Sequence, residues 1–182
     1  MRDLSPIVQT VSELRNAFDR SYSLPPSSPE TEQIENMLAV RLSGNPYAIR
    51  VTEITGLASN RKTVAIPSPI LALLGVAGIR GSLVPIYSLA ELLGYTRDME
   101  PARWLALCGT DDEVGLGFSD LEGYIRVPMA QVYPASQENK THEYVKDVAR
   151  VGGLVRPVIS ITSLVEMIKR RCAENRVSSK QR

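Results

Sequence analysis

A short apolar block occurs twice in the chain, and this repetition limits the possible folds more than any other feature. Leu83-Val84-Pro85-Ile86-Tyr87-Ser88-Leu89 lies over Val155-Arg156-Pro157-Val158-Ile159-Ser160-Ile161 at a constant offset of 72 residues, and Leu92 falls on Leu164. Each copy reads as an apolar strand, then a hydroxyl residue, then a short helix-like segment. Ser88-x-x-Glu91 and Ser163-x-x-Glu166 both match the capping box, in which two side chains satisfy each other's free backbone donors. Two copies of such a unit imply two similar sub-barrels in one chain.

Elsewhere a period of two dominates. Leu38, Val40 and Leu42 alternate with Met37, Ala39 and Arg41, as a half-buried strand requires. Ser43-Gly44-Asn45-Pro46 is a turn, after which Tyr47, Ile49 and Val51 resume the alternation. A second hairpin runs from Arg103–Cys108 through Gly109-Thr110-Asp111-Asp112 to Val114, Leu116 and Phe118. A third joins Tyr144–Val151 to Leu154–Ile159 through Gly152-Gly153, a pair suited to a primed turn because both positions need positive φ. Short, closely spaced strands with few helices indicate a barrel or sandwich.

Ahead of the strands, Ser5-Pro6 starts a helix, and Ile7, Val11, Leu14 and Phe18 form one apolar stripe on it. That stripe serves either to pack on its own domain or to dock a partner. Ser21–Glu30 is a linker of three prolines and four serines with few other residues. The organisation expected is a helix and Pro/Ser-rich linker over 1–35, a β domain of two sub-barrels over 36–170, and a basic flexible tail over 171–182.

With 43% hydrophobic residues the chain has material for a core, and its net charge of +1 creates no polyanion-binding field. Cys108 and Cys172 have no metal spacing and read as reduced cytosolic thiols. The N-terminus lacks the apolar run of a signal peptide, and Pro69–Ile79 falls short of the roughly 20 residues that span a bilayer. The expectation is a cytoplasmic protein without membrane insertion.

Catalytic constellations are missing. His142 is the sole histidine and lies in a polar stretch; no nucleophile elbow, zincin motif or Walker loop occurs. Gly115-x-Gly117 belongs to an alternating strand and not to a phosphate loop. Asp111, Asp112 and Glu113 read as solvated turn residues. No enzyme, cofactor or metal site is expected. Lys169, Arg170, Arg171, Arg176, Lys180 and Arg182 make the C-terminus basic. A nucleic-acid-binding SH3/OB-like module is the rival from another class, but no aromatic residue interleaves with those charges to stack bases. They also suit the negative end of a helix dipole, and no nucleic-acid partner is expected.

Pro67–Leu93 reads PSPILALLGVAGIRGSLVPIYSLAELL. This segment resembles the signature of the CheW family: a proline-bounded stretch, a glycine (Gly75), an apolar strand, Leu-Arg-Gly (here Ile79-Arg80-Gly81), a second strand (Val84-Pro85-Ile86) and a short helix. Leu38–Val51 is similar to the family's first two strands, Val114 to Pro128 to its later hairpin, and Tyr144 to Leu164 to its closing strands. The resemblance covers roughly residues 36–170. It implies two five-stranded SH3-like β-barrels sharing an apolar interface, a mainly β fold with short helices and an N-terminal helical extension. It also implies a non-enzymatic scaffold joining the cytoplasmic domain of a methyl-accepting chemoreceptor to a CheA-type histidine kinase.

On this resemblance the partner-binding residues are Gly75, Ile79, Arg80, Gly81 and Val84, with Ile54, Gly56 and Leu57 on the strand that lines the family's receptor groove. Arg80 leads, since a guanidinium among apolar neighbours either anchors a partner carboxylate bidentately or pairs with an acid of its own fold. Ile54 and Leu57 serve either the groove or ordinary core packing. Three positions depart from the family pattern. Ser88 and Ser160 replace an aspartate and can still cap helices. Gly56 stands where a glutamate is usual, which deletes a charge and loosens a strand. That last change leaves open a divergent adaptor that binds a receptor but couples poorly, or not at all, to the kinase.

Overall fold

The alternating segments become strands in the computed structural model, which describes residues 33–96, 101–109, 113–135 and 143–179. The N-terminal stripe and linker, Asp111, Asp112, His142 and Lys180–Arg182 lie outside the described residues. The strands are β1 (Ile34–Leu42), β2 (Asn45–Arg50), β3 (Gly56–Ser59), β4 (Thr63–Val64), β5 (Leu73–Ile79), β6 (Ser82–Ser88), β7 (Trp104–Cys108), β8 (Val114–Phe118), β9 (Asp120–Pro128), β10 (Val132–Pro134), β11 (Val145–Val151) and β12 (Leu154–Ile159). Two helices accompany them, α1 (Leu89–Leu92) and α2 (Ile161–Ser179), with 3-10 turns at Val51–Glu53 and Met129–Gln131.

The strands form two sheets, ordered β10-β11-β12-β2-β1-β9 and β3-β7-β8-β6-β5-β4. In each, the two edge strands follow one another in the chain: β9 leads through Met129–Gln131 into β10, and β3 leads through a short bend into β4. One bent strand therefore supplies both edges, which curls the sheet on itself and leaves little edge exposed. Counted once, that bent strand gives five strands per barrel, and the architecture is two SH3-like β-barrels.

Neither barrel is built from one continuous stretch of chain. The β1–β2 hairpin joins the first barrel with β9–β12, while the β7–β8 hairpin joins the second with β3–β6. The joins are parallel: Ala48 and Ile49 of β2 lie opposite Val158 and Ile159 of β12, and Gly115 to Gly117 of β8 opposite Ile86 to Ser88 of β6. Parallel neighbours need a long connection, so each hairpin meets a strand distant in sequence. Each barrel holds one copy of the repeat, as the sequence implies, and the two chain halves additionally exchange hairpins.

This exchange explains the burial. Met37, Ala48, Val127, Ala149 and Val158 fill the first barrel, and Ala77, Ile79, Val84, Ile86, Leu105 and Leu107 fill the second. A much larger core lies between them, drawing on Leu38, Val40, Leu42 and Ile49 from one barrel, Leu116 and Phe118 from the other, and Leu89, Ile161 and Leu164 from the helices. β1 is therefore buried on both faces, with Met37 directed into its barrel and Leu38, Val40 and Leu42 into the shared interface. The half-buried strand expected from alternation is replaced by one with no solvent face over Met37–Val40.

Polar groups hold the crossing points. Arg50, at the end of β2, pairs with Glu35 (2.9 Å), Asp147 (2.7 Å) and Glu53 (3.7 Å). Glu53 in turn accepts the Thr162 backbone N–H at 3.0 Å, tying the first 3-10 turn to the start of α2. α1 keeps one half of the expected capping box: Ser88 Oγ accepts from the Glu91 N–H at 3.2 Å, while the Ser88 N–H donates to the Ala72 carbonyl at 2.8 Å. The second cap falls on Ser160 and not on Ser163: the Ser163 N–H donates to Ser160 Oγ at 3.4 Å, and Ser163 lies inside α2. Ser160 is the position 72 residues after Ser88, so the repeat places the cap correctly where the Ser163-x-x-Glu166 motif misplaces it. α2 stays helical to Ser179, past the residue-171 boundary of the expected flexible tail.

Candidate partner-binding surface

The Ile79-Arg80-Gly81 block is the tip of the β5–β6 hairpin. Ile79 lies opposite Ser82, and the two-residue turn between them has φ of 49° at Arg80 and 86° at Gly81. Positive φ at both central positions is the primed turn whose twist matches the flanking strands. Arg80 therefore occupies a loop tip, exposed to solvent, and not a strand position.

Its neighbours in the block lie deeper. Ile79 and Val84 are 2% and 1% exposed and pack inside the second barrel. Gly75 is buried, with φ of 143°, and a Cβ there would collide with the Val64 carbonyl. These three residues shape and hold the hairpin from behind, and they present no side chain to a partner.

The Arg80 side chain folds back across the end of the second barrel. Its Nη2 lies 3.0 Å from the point where a Cβ would sit on Gly56, the first residue of β3. The structure thus brings together Gly56 and Arg80, which are far apart in sequence. Among the described residues no carboxylate pairs with Arg80. Leu57 lies opposite Ala106, which faces the shared core, and is 38% exposed. Ile54 is half-buried and packs against that same core. Of the eight residues singled out from sequence, Arg80, Gly81 and Leu57 are exposed, and Ile54 and Gly56 are partly so.

An apolar outer face adjoins the hairpin. Val64, Val76 and Pro85 lie in one row across β4, β5 and β6, and Leu83 faces Gly78 in the next. Val64 is 56% exposed and Leu83 78%. Neither residue stands out in the sequence as a binding candidate. The available signal was alternation: Leu83 is out of phase with the buried Val84 and Ile86, and its repeat partner Val155 is likewise exposed.

Burial, with help from Glu53 and Glu113, pushes the Cys108 thiol up to about 12, so it stays protonated and is no nucleophile. No group of histidine, cysteine and carboxylate residues among those described could hold a metal ion. In the first barrel, Glu122 lies between Arg41 (2.6 Å) and Arg156. The Arg41 hydrogen bond, seconded by Arg156, holds its carboxyl below the usual range. Arg156, 9% exposed, is the repeat counterpart of the buried Val84. Lys169, Arg170 and Arg171 are exposed on α2, and no described helix is long and apolar enough to cross a membrane.

A sequence model of the CheW-like domain matches residues 36–169. No curated protein matches the chain. Among solved structures, the scaffolding protein TtCheW from Thermoanaerobacter tengcongensis superposes with a TM-score of 0.63 at 13% identity, covering 71% of this chain and 90% of that one. That likeness supports the two-barrel architecture, and the sequence match extends over most of the same strands. The chain belongs to the CheW-like domain family.

Proposed function

We propose that this protein is a non-enzymatic signalling adaptor of the chemotaxis type, acting in the cytoplasm. It holds the cytoplasmic tip of a methyl-accepting chemoreceptor and links it to a CheA-type histidine kinase. One observation carries this reading: an exposed arginine at a two-residue hairpin tip, paired with no carboxylate among the described residues, on a hairpin that also exposes Leu83. A charged anchor flanked by apolar area is the composition of an interaction hot spot, where a few residues carry most of the affinity. Gly56, Leu57, Arg80 and Gly81 form the contacting part; Gly75, Ile79 and Val84 fix its shape, and Ile54 supports Leu57 from the core side.

Purified protein, a receptor-tip fragment and a kinase regulatory domain test this in pairwise and ternary binding assays. Binding to the tip is expected, and binding to neither protein removes the proposal. The missing charge at Gly56 favours a second reading, an adaptor that binds the receptor yet couples poorly to the kinase. Ternary assembly without a change in kinase activity would select it. The rival nucleic-acid reading predicts affinity that falls steeply with salt, and tight, salt-sensitive DNA or RNA binding would favour it instead.

A further inference from the structure

The two chain halves supply an internal comparison at the hairpin tip. Arg80-Gly81 and Gly152-Gly153 are 72 residues apart, turn equivalent hairpins, and have the same backbone: φ of 49° and 86° in the first, 56° and 81° in the second. The second hairpin uses glycine at both positions, the residue that adopts positive φ without steric cost. The first places an arginine there, in a conformation that disfavours any residue with a Cβ. Glycine serves at the equivalent position of the second hairpin, so the turn itself does not need the arginine side chain.

That guanidinium rests on Gly56. Gly56 does not lie in the positive-φ region, and the atom nearest a new Cβ is the mobile end of Arg80, at 3.0 Å. The backbone would therefore accept a larger residue there, and glycine is required neither by the chain path nor by a rigid neighbour. Its effect is to leave the Arg80 face over β3 uncovered, with no carboxylate paired to it among the described residues.

We infer that Gly56 is a specificity-determining residue: it keeps the Arg80 fork open for a single carboxylate supplied by the receptor tip, so that an acidic side chain on the partner completes the site. This inference rests on the adaptor reading and adds to it the chemistry of the contact. Arginine suits the role because its planar donors bind a carboxylate with two parallel hydrogen bonds.

Gly56→Glu would supply the carboxylate from within, and Gly56→Gln would add the same bulk without charge. With a chemoreceptor-tip fragment as the probe, Gly56→Glu is expected to weaken binding about tenfold, as much as Arg80→Gly, while Gly56→Gln stays within about threefold of the unaltered protein. Neutralising each acidic residue of the tip should uncover one whose loss costs nothing further in the Arg80→Gly background. Equal weakening by Gly56→Glu and Gly56→Gln, or no weakening by Gly56→Glu, would overturn the inference. So would full additivity of every tip substitution with Arg80→Gly. A carboxyl NMR titration separates this from failure of the adaptor reading, since it needs no partner. In Gly56→Glu the introduced carboxylate should titrate well below an ordinary glutamate, and return to normal when Arg80→Gln is added. An ordinary value in the single variant would sink the inference whether or not the tip binds.

Discussion

At the scale of single residues, the proposed role of Arg80 sets stability against binding. A non-glycine residue in the left-handed region costs about 1 kcal/mol, so Arg80→Gly is expected to hold or raise the melting temperature while receptor binding falls. Thermal unfolding beside a binding titration checks this, and a drop of many degrees would mean that Arg80 works for the fold. Arg80 was legible because it interrupts an apolar block. Its contact with Gly56 was not, because no local pattern reports which strand end a hairpin tip overhangs. Glu122 is a second case, since nothing in the sequence pairs it with Arg156. Its carboxyl is held low by two arginines, so its contribution is present above the unfolded-state pKa and is lost as pH falls through the lower folded value. Glu122→Gln should therefore destabilise the protein at neutral pH, by no more than about 1 kcal/mol because the pair is open to solvent. The difference from the unaltered protein should shrink in acid, as urea unfolding at several pH values would show.

At the scale of elements, hairpins were easier to read than burial. Alternation located β1 and β2 and the glycine pair located the third turn, because both signals depend on residues near one another in the chain. That β1 has no solvent face could not be read this way: Met37 and Leu38 both meet apolar neighbours, but in different cores. The helix starts give a sharper lesson. A capping-box motif and the internal repeat disagreed by three residues at α2, and the hydrogen bonds favour the repeat. Ser160→Ala should cost about 1 kcal/mol through loss of the cap. Ser163→Ala, which removes a hydroxyl from within the first turn, should cost clearly less. Chemical denaturation of the two variants decides between them, and the reverse ranking would show that the cap lies at Ser163.

At the scale of the molecule, the largest apolar core belongs to neither barrel but to the space between them, where both helices also pack. The family resemblance anticipated twin barrels with a shared interface; the exchange of hairpins between chain halves follows only from the strand order. Cutting the chain between Thr96 and Pro101 should therefore leave two insoluble pieces that become soluble when produced together. Sedimentation of the separate and co-expressed fragments measures this, and a soluble, cooperatively melting single fragment would contradict it. The same strand order sets a schedule on the ribosome. The second barrel is complete once Phe118 has emerged, but β2, made long before, waits for Val158 and Ile159 to cover its free edge. Through that interval the barrel-facing side chains of Met37 and Ala48 lack the Ala149 and Val158 that later cover them, and a nascent chain in that state is a natural client for a holding chaperone.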